Sequence, residues 1–351
     1  MKVNFKRPII KRIRKPNTSI YKILRLNRAE YGHDFQSKKN SDIDQYGYYP
    51  DVTELINNLK KYLNLSPKNF LVGLGAEGII KDLLFFFSNR KKRIGFLVPN
   101  YFMYSLYSKA FKYKKFTLNI NPEFPENLTI NSLKIFIKKN RLDLFVLVNP
   151  SHPFEKNWTL KEIKDLLNFC KQKKVILIID EVYQGLGSKT SKELVKNNEN
   201  LIIIGSLSKN VGLPALRVGY VISSVKIIKH LESFRLAIEL PYHTIKLSSR
   251  FLKNKNLLLK VKKNIINARK FAHIEFKKRK IPNYGKFGNS VTFKMKNKFM
   301  AKKVGNFLKR KNIIINYSYE KPFENFLNIT TTNIKNLKLF FSKLDQIKNL
   351  I

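Results

Sequence analysis

One cysteine, Cys170, is all the thiol this chain has, so no disulfide framework can staple it and a reducing cytoplasm is the natural compartment. Long apolar runs are missing too. Stretches such as Val175 to Ile179 and Leu201 to Ile204 fall far short of the roughly 18 residues a membrane helix needs, and they read as buried strands. Met1 to Thr18 is basic and has no apolar centre, which does not resemble a secretory signal. The five histidines, His33, His152, His230, His243 and His273, show no metal-ligand spacing, so no metal is expected. No G-x-S-x-G nucleophile elbow occurs. Cys170 lies beside Phe169 in an amphipathic run and reads as packing.

Acidic residues are scarce: 24 Asp and Glu stand against 69 Lys and Arg, a formal charge of +45. Clustered cations would point to nucleic acid, because they release counterions from phosphate. Here the lysines are spread thinly among abundant Asn, Ile, Phe and Tyr, the set that AT-rich coding enriches. No zinc-finger, RRM-like or KH-like pattern accompanies them. Nucleic acid is therefore not the expected partner, although the run Lys2 to Lys15 could act as a sticky arm.

From about residue 55 to 240, short apolar runs alternate with longer amphipathic ones, the βαβ rhythm of a mostly parallel sheet covered by helices. Phe70-Leu71-Val72 leads into a glycine loop and a helix from Gly78 to Phe87. Further strands are expected at Arg93 to Val98, Leu144 to Val148, Val175 to Ile179 and Leu201 to Ile204. Their carboxyl ends deliver Asn149-Pro150, Asp180 and Gly205-Ser206 to one crevice, where open α/β sheets bind ligands. After Pro241 the pattern predicts a long helical stretch from Thr244 to Lys280, a strand at Val291 to Phe293, a helix at Ala301 to Arg310, strands at Ile313 to Ile315 and Phe326 to Ile329, and a closing helix from Lys335 to Lys348. The expected division is a basic arm over 1–25, a large domain over 26–243 and a small α+β domain over 244–351.

Gly73-Leu-Gly75-Ala-Glu-Gly78 matches a dinucleotide fingerprint in form, but no acidic residue follows at the end of the next strand to hold a ribose. The broader reading is an anion site at a helix N-terminus, fit for one phosphate; a purely structural tight turn would look the same. Asp180 follows four apolar strand residues, so its carboxylate needs a cationic partner. Asp180-Glu-x-Tyr183 also reads as the start of a capped helix. The loop from Gly205 to Tyr220 places Ser206, Ser208, Lys209 and Arg217 together: three phosphate ligands around one amine. A lysine among other cations has its pKa lowered and keeps some free amine to form an imine.

With these motifs on the page, the chain resembles fold-type I pyridoxal-phosphate (PLP) enzymes of the class I/II aminotransferases, closest to the histidinol-phosphate aminotransferase-like proteins, over roughly residues 24 to 345. The resemblance implies a PLP-dependent aminotransferase, cytoplasmic and homodimeric, acting on a small amino substrate and a carbonyl acceptor. By it Lys209 carries pyridoxal 5'-phosphate and moves the substrate proton, while Asp180 and Tyr183 hold the ring nitrogen and oxygen. Ser206, Ser208, Arg217 and the turn Gly75-Ala76-Glu77 bind the phosphate, Tyr101 stacks on the ring, and Tyr49, in Tyr46-Gly-Tyr-Tyr-Pro50, reaches the partner subunit's phosphate. Tyr31 lines the substrate pocket.

Three positions depart from the family pattern. His152, in Asn149-Pro-Ser-His152-Pro, replaces the asparagine that donates to the ring oxygen, and an imidazole N–H can also donate. Asn316 and Asn328 stand where arginines clamp the substrate's acid groups, which points to an amine whose anionic group lies further from the reacting carbon, a phosphate ester being one such group. A PLP-dependent decarboxylase or lyase on the same scaffold is the alternative, and a non-enzymatic nucleic-acid binder the remote one.

Overall fold

The computed structural model describes residues 48–89, 92–121, 123–153, 156–317, 319–331 and 333–347. The expected basic arm over 1–25 and Tyr31 lie outside them. The described chain opens with α1 (Thr53–Leu63), which buries Leu55, Leu59 and Leu63 at four-residue spacing and is stopped by Asn64 in the left-handed region. Then follow β1 (Phe70–Leu74), α2 (Gly75–Phe87), β2 (Arg93–Val98), α3 (Met103–Ala110), β3 (Lys114–Asn119), α4 (Ile130–Lys139), β4 (Leu144–Val148), α5 (Leu160–Gln172), β5 (Ile176–Asp180), β6 (Leu201–Ser206), β7 (Val218–Ile222) and α6 (Val225–Phe234).

The seven strands form one sheet in the order β1-β7-β6-β5-β4-β2-β3. All pairs from β3 to β6 are parallel, and β7 alone runs against both its neighbours. Period-two alternation divides the inner strands between two cores. Phe145, Leu147, Leu177 and Ile179 face α1, α4 and α5, while Val146, Ile176, Ile178 and Ile202 face α2, α3 and α6. Both faces are covered, so these strands are apolar throughout, as buried parallel strands are. The same alternation carries Asp180 and Ser206 onto the α2–α3 side.

Beyond α6 come α7 (Tyr242–Lys253), α8 (Lys255–Lys278), β8 (Asn283–Tyr284), β9 (Ser290–Lys294), α9 (Lys298–Arg310), β10 (Phe326–Thr330) and α10 (Ile334–Asp345). The last three strands make a separate antiparallel sheet ordered β10-β9-β8. Its own core is aromatic: Phe276 packs on Phe293, Phe340 and Phe341 with ring centroids 4.7, 6.1 and 4.9 Å apart.

Two expectations are corrected here. The stretch Thr244 to Lys280 is two helices, because Asn254 leaves helical geometry (φ −92°, ψ 84°), ends α7 with its N–H on the Phe251 carbonyl, and caps α8 by accepting the Leu257 N–H on its side chain. Ile313 to Ile315 is not a strand. Ile314 is 86 % exposed, and pairing with β10 is limited to the single bridge between Asn316 and Asn328.

Candidate active site

A cavity of roughly 890 Å³ opens at the carboxyl ends of β2, β4, β5 and β6 and at the start of α2, and Lys209 lines it. Burial, and then the charge of Arg217, lowers the Lys209 pKa. The phosphate-sized corner is built from two loops. In one, Gly75 adopts φ +69° at the first turn of α2, where backbone N–H groups have no intrahelical acceptor. In the other, Ser206 Oγ lies 2.9 Å from Ser208 Oγ and accepts the Ser208 N–H at 3.0 Å. Arg217, itself left-handed at φ 51°, bridges the two: its Nη2 is 3.6 Å from Glu77 Oε2. A Cβ on Gly75 would stand 3.0 Å from that guanidinium, so the cradle is shaped by the absence of a side chain.

Asp180 ends β5, 3 % exposed. Its Oδ2 accepts the Tyr104 hydroxyl at 2.7 Å and its Oδ1 the Val182 N–H at 3.1 Å. Burial pushes its pKa up to about 6, and among the described residues no cation pairs with it. A carboxylate so placed is costly unless a positive donor meets it.

The loop after β4 is anchored by Asn149, which gives its amide to the Trp158 carbonyl at 3.2 Å and accepts the Trp158 N–H at 2.8 Å. His152 thereby sits on the cavity wall with its ring 4.8 Å from that of Tyr183. Burial, reinforced by Lys209, holds its pKa down at about 4. Tyr101 also lines the cavity, half exposed, its hydroxyl donating to Glu77 Oε2 at 3.2 Å; burial, followed by the Glu77 charge, pushes it up to about 12.

The cavity thus gathers Ala76, Glu77, Tyr101, His152, Asp180, Tyr183, Ser206, Ser208, Lys209 and Arg217, ten of the residues singled out in the sequence. Asn316 lines it as well. Asn328 does not: it is 1 % exposed and its amide donates to Ser290 and Thr292. Tyr49 is 52 % exposed and outside the lining. Two contributors escaped the sequence reading. Tyr104, on α3, carries no local signal that ties it to Asp180, 76 residues away. Ser290 lies 138 residues from the histidine it touches, and no local signal marks it. The donor set of one half-buried amine, one buried carboxylate in want of a cation, and an arginine with two serines at a glycine turn fits PLP.

The sequence profile described as Aminotransferase class I and II matches residues 22–343. A histidinol-phosphate aminotransferase of Caldanaerobacter subterraneus subsp. tengcongensis is 30 % identical over 292 residues, covering 81 % of this chain and 80 % of the relative. Among solved structures, the fold is similar to a histidinol-phosphate aminotransferase from Sinorhizobium meliloti in complex with pyridoxal-5'-phosphate, with a TM-score of 0.80 at 17 % identity over 88 % of this chain and 84 % of that one. It is also similar to an L-threonine-O-3-phosphate decarboxylase from Porphyromonas gingivalis, with a TM-score of 0.71 at 19 % identity over 87 % and 92 %. At such identities the structural likeness is one of fold.

Proposed function

Because the chain belongs to the class I and II aminotransferases and is a PLP-dependent aminotransferase, we propose that Lys209 carries the cofactor and that the substrate is an amino compound whose anionic group is a phosphate ester rather than an α-carboxylate. The observation that carries this reading is the convergence of Lys209, Asp180 and the Ser206–Ser208–Arg217 corner on one cavity. When bound, PLP supplies the electron sink for the carbon bearing the amino group. Asp180 would hold the ring nitrogen's proton, matching its lack of any other cation. Tyr183 and His152 would face the ring oxygen, and Tyr101 would cover the ring. Lys209 would serve twice: its amine, made less basic by burial and Arg217, would hold the cofactor and, once released, would be the base and acid that moves the proton of the substrate carbon.

The substrate class follows from what meets the anion. An arginine fork on a carboxylate gains about 1.5–3 kcal/mol per charge-assisted hydrogen bond. Asn316 offers only a neutral amide, and Asn328 has both amide protons engaged within the small sheet. Lys115 and Lys321 also line the cavity and would supply the positive charge such an anion needs. Phosphorylated amino compounds also appear in the names of the curated relatives. Glutamate is accordingly a poor amino donor.

We further infer a homodimer in the cytoplasm. Exposed Leu74, Phe102 and Leu106 supply apolar surface for a second copy, and no described helix is long and apolar enough to cross a membrane. Borohydride reduction of the PLP-loaded protein followed by peptide mapping tests the core of the reading: the label belongs on Lys209, and a label on another lysine overturns it. A screen following loss of the cofactor's absorbance across amino acids, amines and their phosphate esters tests the substrate class. Release of CO₂ instead of a carbonyl product with the amino group transferred would identify the decarboxylase alternative.

A further inference from the structure

On the other face of the large sheet lies a second, smaller cavity of roughly 140 Å³, which shares no lining residue with the first. Its floor is two cross-strand pairs, Ile203 opposite Ile222 and Gly205 opposite Tyr220. A Cβ on Gly205 would run into the Tyr220 ring. Lys262, from α8, enters through a gap shaped for it. Gly185, at φ +83°, would place a Cβ 3.2 Å from the Lys262 Nζ, and that ammonium lies 5.7 Å from the centre of the Tyr62 ring. Burial alone lowers its pKa, and among the described residues no hydrogen-bond acceptor or carboxylate meets its protons.

The rest of the lining does not supply what Lys262 lacks. Lys192 gives one proton to the Leu63 carbonyl and has two left. The Tyr220 hydroxyl has no hydrogen-bond partner among the described residues. Both Glu181 oxygens already receive a donor, the Ser191 N–H and the Thr190 hydroxyl, and burial raises that carboxyl to about 7, so it is neutral in mildly acidic solution. Two ammonium groups therefore face one carboxyl group, and donors outnumber free acceptors. A carboxylate only accepts, and its hydrogen bonds to an ammonium are of the stronger, charge-assisted kind. Ile203, Ile222 and Leu63 make the remaining wall apolar, where a bare oxyanion would shed water without replacement. An engineered cavity of about 150 Å³ accommodates benzene, so the space suits a molecule of about six heavy atoms or fewer.

We propose that this cavity binds a short-chain carboxylate, its charged end held by Lys262, Lys192 and the Tyr220 hydroxyl and its carbon chain laid against Ile203 and Ile222. The assignment of Lys209 as the cofactor lysine can fail without touching this site. Lys262 stands on the helix that packs Leu258 into the core of the large sheet and Ala268, Ala272 and Phe276 into that of the small one. A ligand here ties that helix to the back of β5, the strand that ends in Asp180.

The test is equilibrium dialysis of radiolabelled propionate against protein prepared with saturating PLP at pH 6, where Glu181 is protonated. One propionate per chain is expected to bind saturably. Lys262→Met keeps the length of the side chain and removes its charge, and should weaken binding about tenfold or more through the loss of a charge-assisted hydrogen bond. Lys192→Met should give a second, independent loss. Lys321→Met, in the wall of the large cavity, should leave the affinity unchanged. Propionate should also raise the melting temperature of the wild type and not that of Lys262→Met. Absence of saturable binding, or binding that Lys321→Met weakens and Lys262→Met does not, overturns the proposal. Inorganic phosphate that binds through Lys262 more tightly than propionate overturns the carboxylate class.

Discussion

Glu181 follows Asp180 directly, and the alternation of β5 sends it to the other side of the sheet. It is 4 % exposed, accepts the Ser191 N–H at 2.7 Å and the Thr190 hydroxyl at 2.5 Å, and burial pushes its pKa from 4.5 up to about 7. Between those two values the folded chain holds a proton the unfolded chain has released. Stability is then fully present below pH 4.5 and declines as pH rises toward 7. Glu181→Gln removes the titration and keeps the shape. We expect it to melt with the wild type near pH 4 and several degrees above it at pH 8, from a difference on the order of 2–3 kcal/mol; parallel melting curves across that range would refute the assignment. At this scale the sequence was legible where a function is packed into one short stretch: Ser206 ends β6, and Ser208, Lys209 and Arg217 lie on its connection to β7. It was not legible where a contact spans the fold, as for Tyr104 on Asp180 or Ser290 on His152, because neither residue type nor spacing encodes which side chain a distant strand will present.

Helix boundaries show the same limit one level up. Ile245, Ser248, Ser249 and Leu252 step by three and four along α7, but the next buried residue, Leu258, is out of step with them. That slip, with Asn254 inside it, is the mark of two helices in a uniformly lysine-rich text. Since Asn254 caps α8, Asn254→Ala should cost about 1 kcal/mol, and Asn254→Asp should keep most of the stability by placing a carboxylate at the helix N-terminus. Thermal melting of both variants decides it: an alanine variant as stable as the wild type would mean that the cap carries no weight. Ile313 to Ile315 has the composition of a strand and fails to be one for a tertiary reason. The apolar core lies behind β10, and Ile314 points away from it into solvent. Composition registers that isoleucine suits a sheet, not whether a sheet has room for it.

For the whole molecule, the cavity of one chain gathers Lys209, Asp180 and the phosphate-sized corner of the proposed cofactor site, while Tyr49 lies exposed outside its lining. A subunit carrying Tyr49→Phe mixed with one carrying Lys209→Ala should therefore yield heterodimers more active than either parent homodimer. A fully active monomer on a sizing column would exclude shared sites. β3 is an edge strand of the large sheet, and its exposed Lys114 and Lys115 stand beside a Phe116 ring partly screened by Arg93 and Lys114. Two copies meeting margin to margin would set these ammonium groups against each other, and like charges facing across a strand pair oppose the pairing. Excess lysine, wherever it came from, thus opposes the growth of a chain rich in isoleucine and phenylalanine into fibres along this edge. Lys114→Thr with Lys115→Thr should scatter light at lower protein concentration than the wild type, and raising the salt, which shortens the reach of the repulsion, should carry the wild type toward the same behaviour.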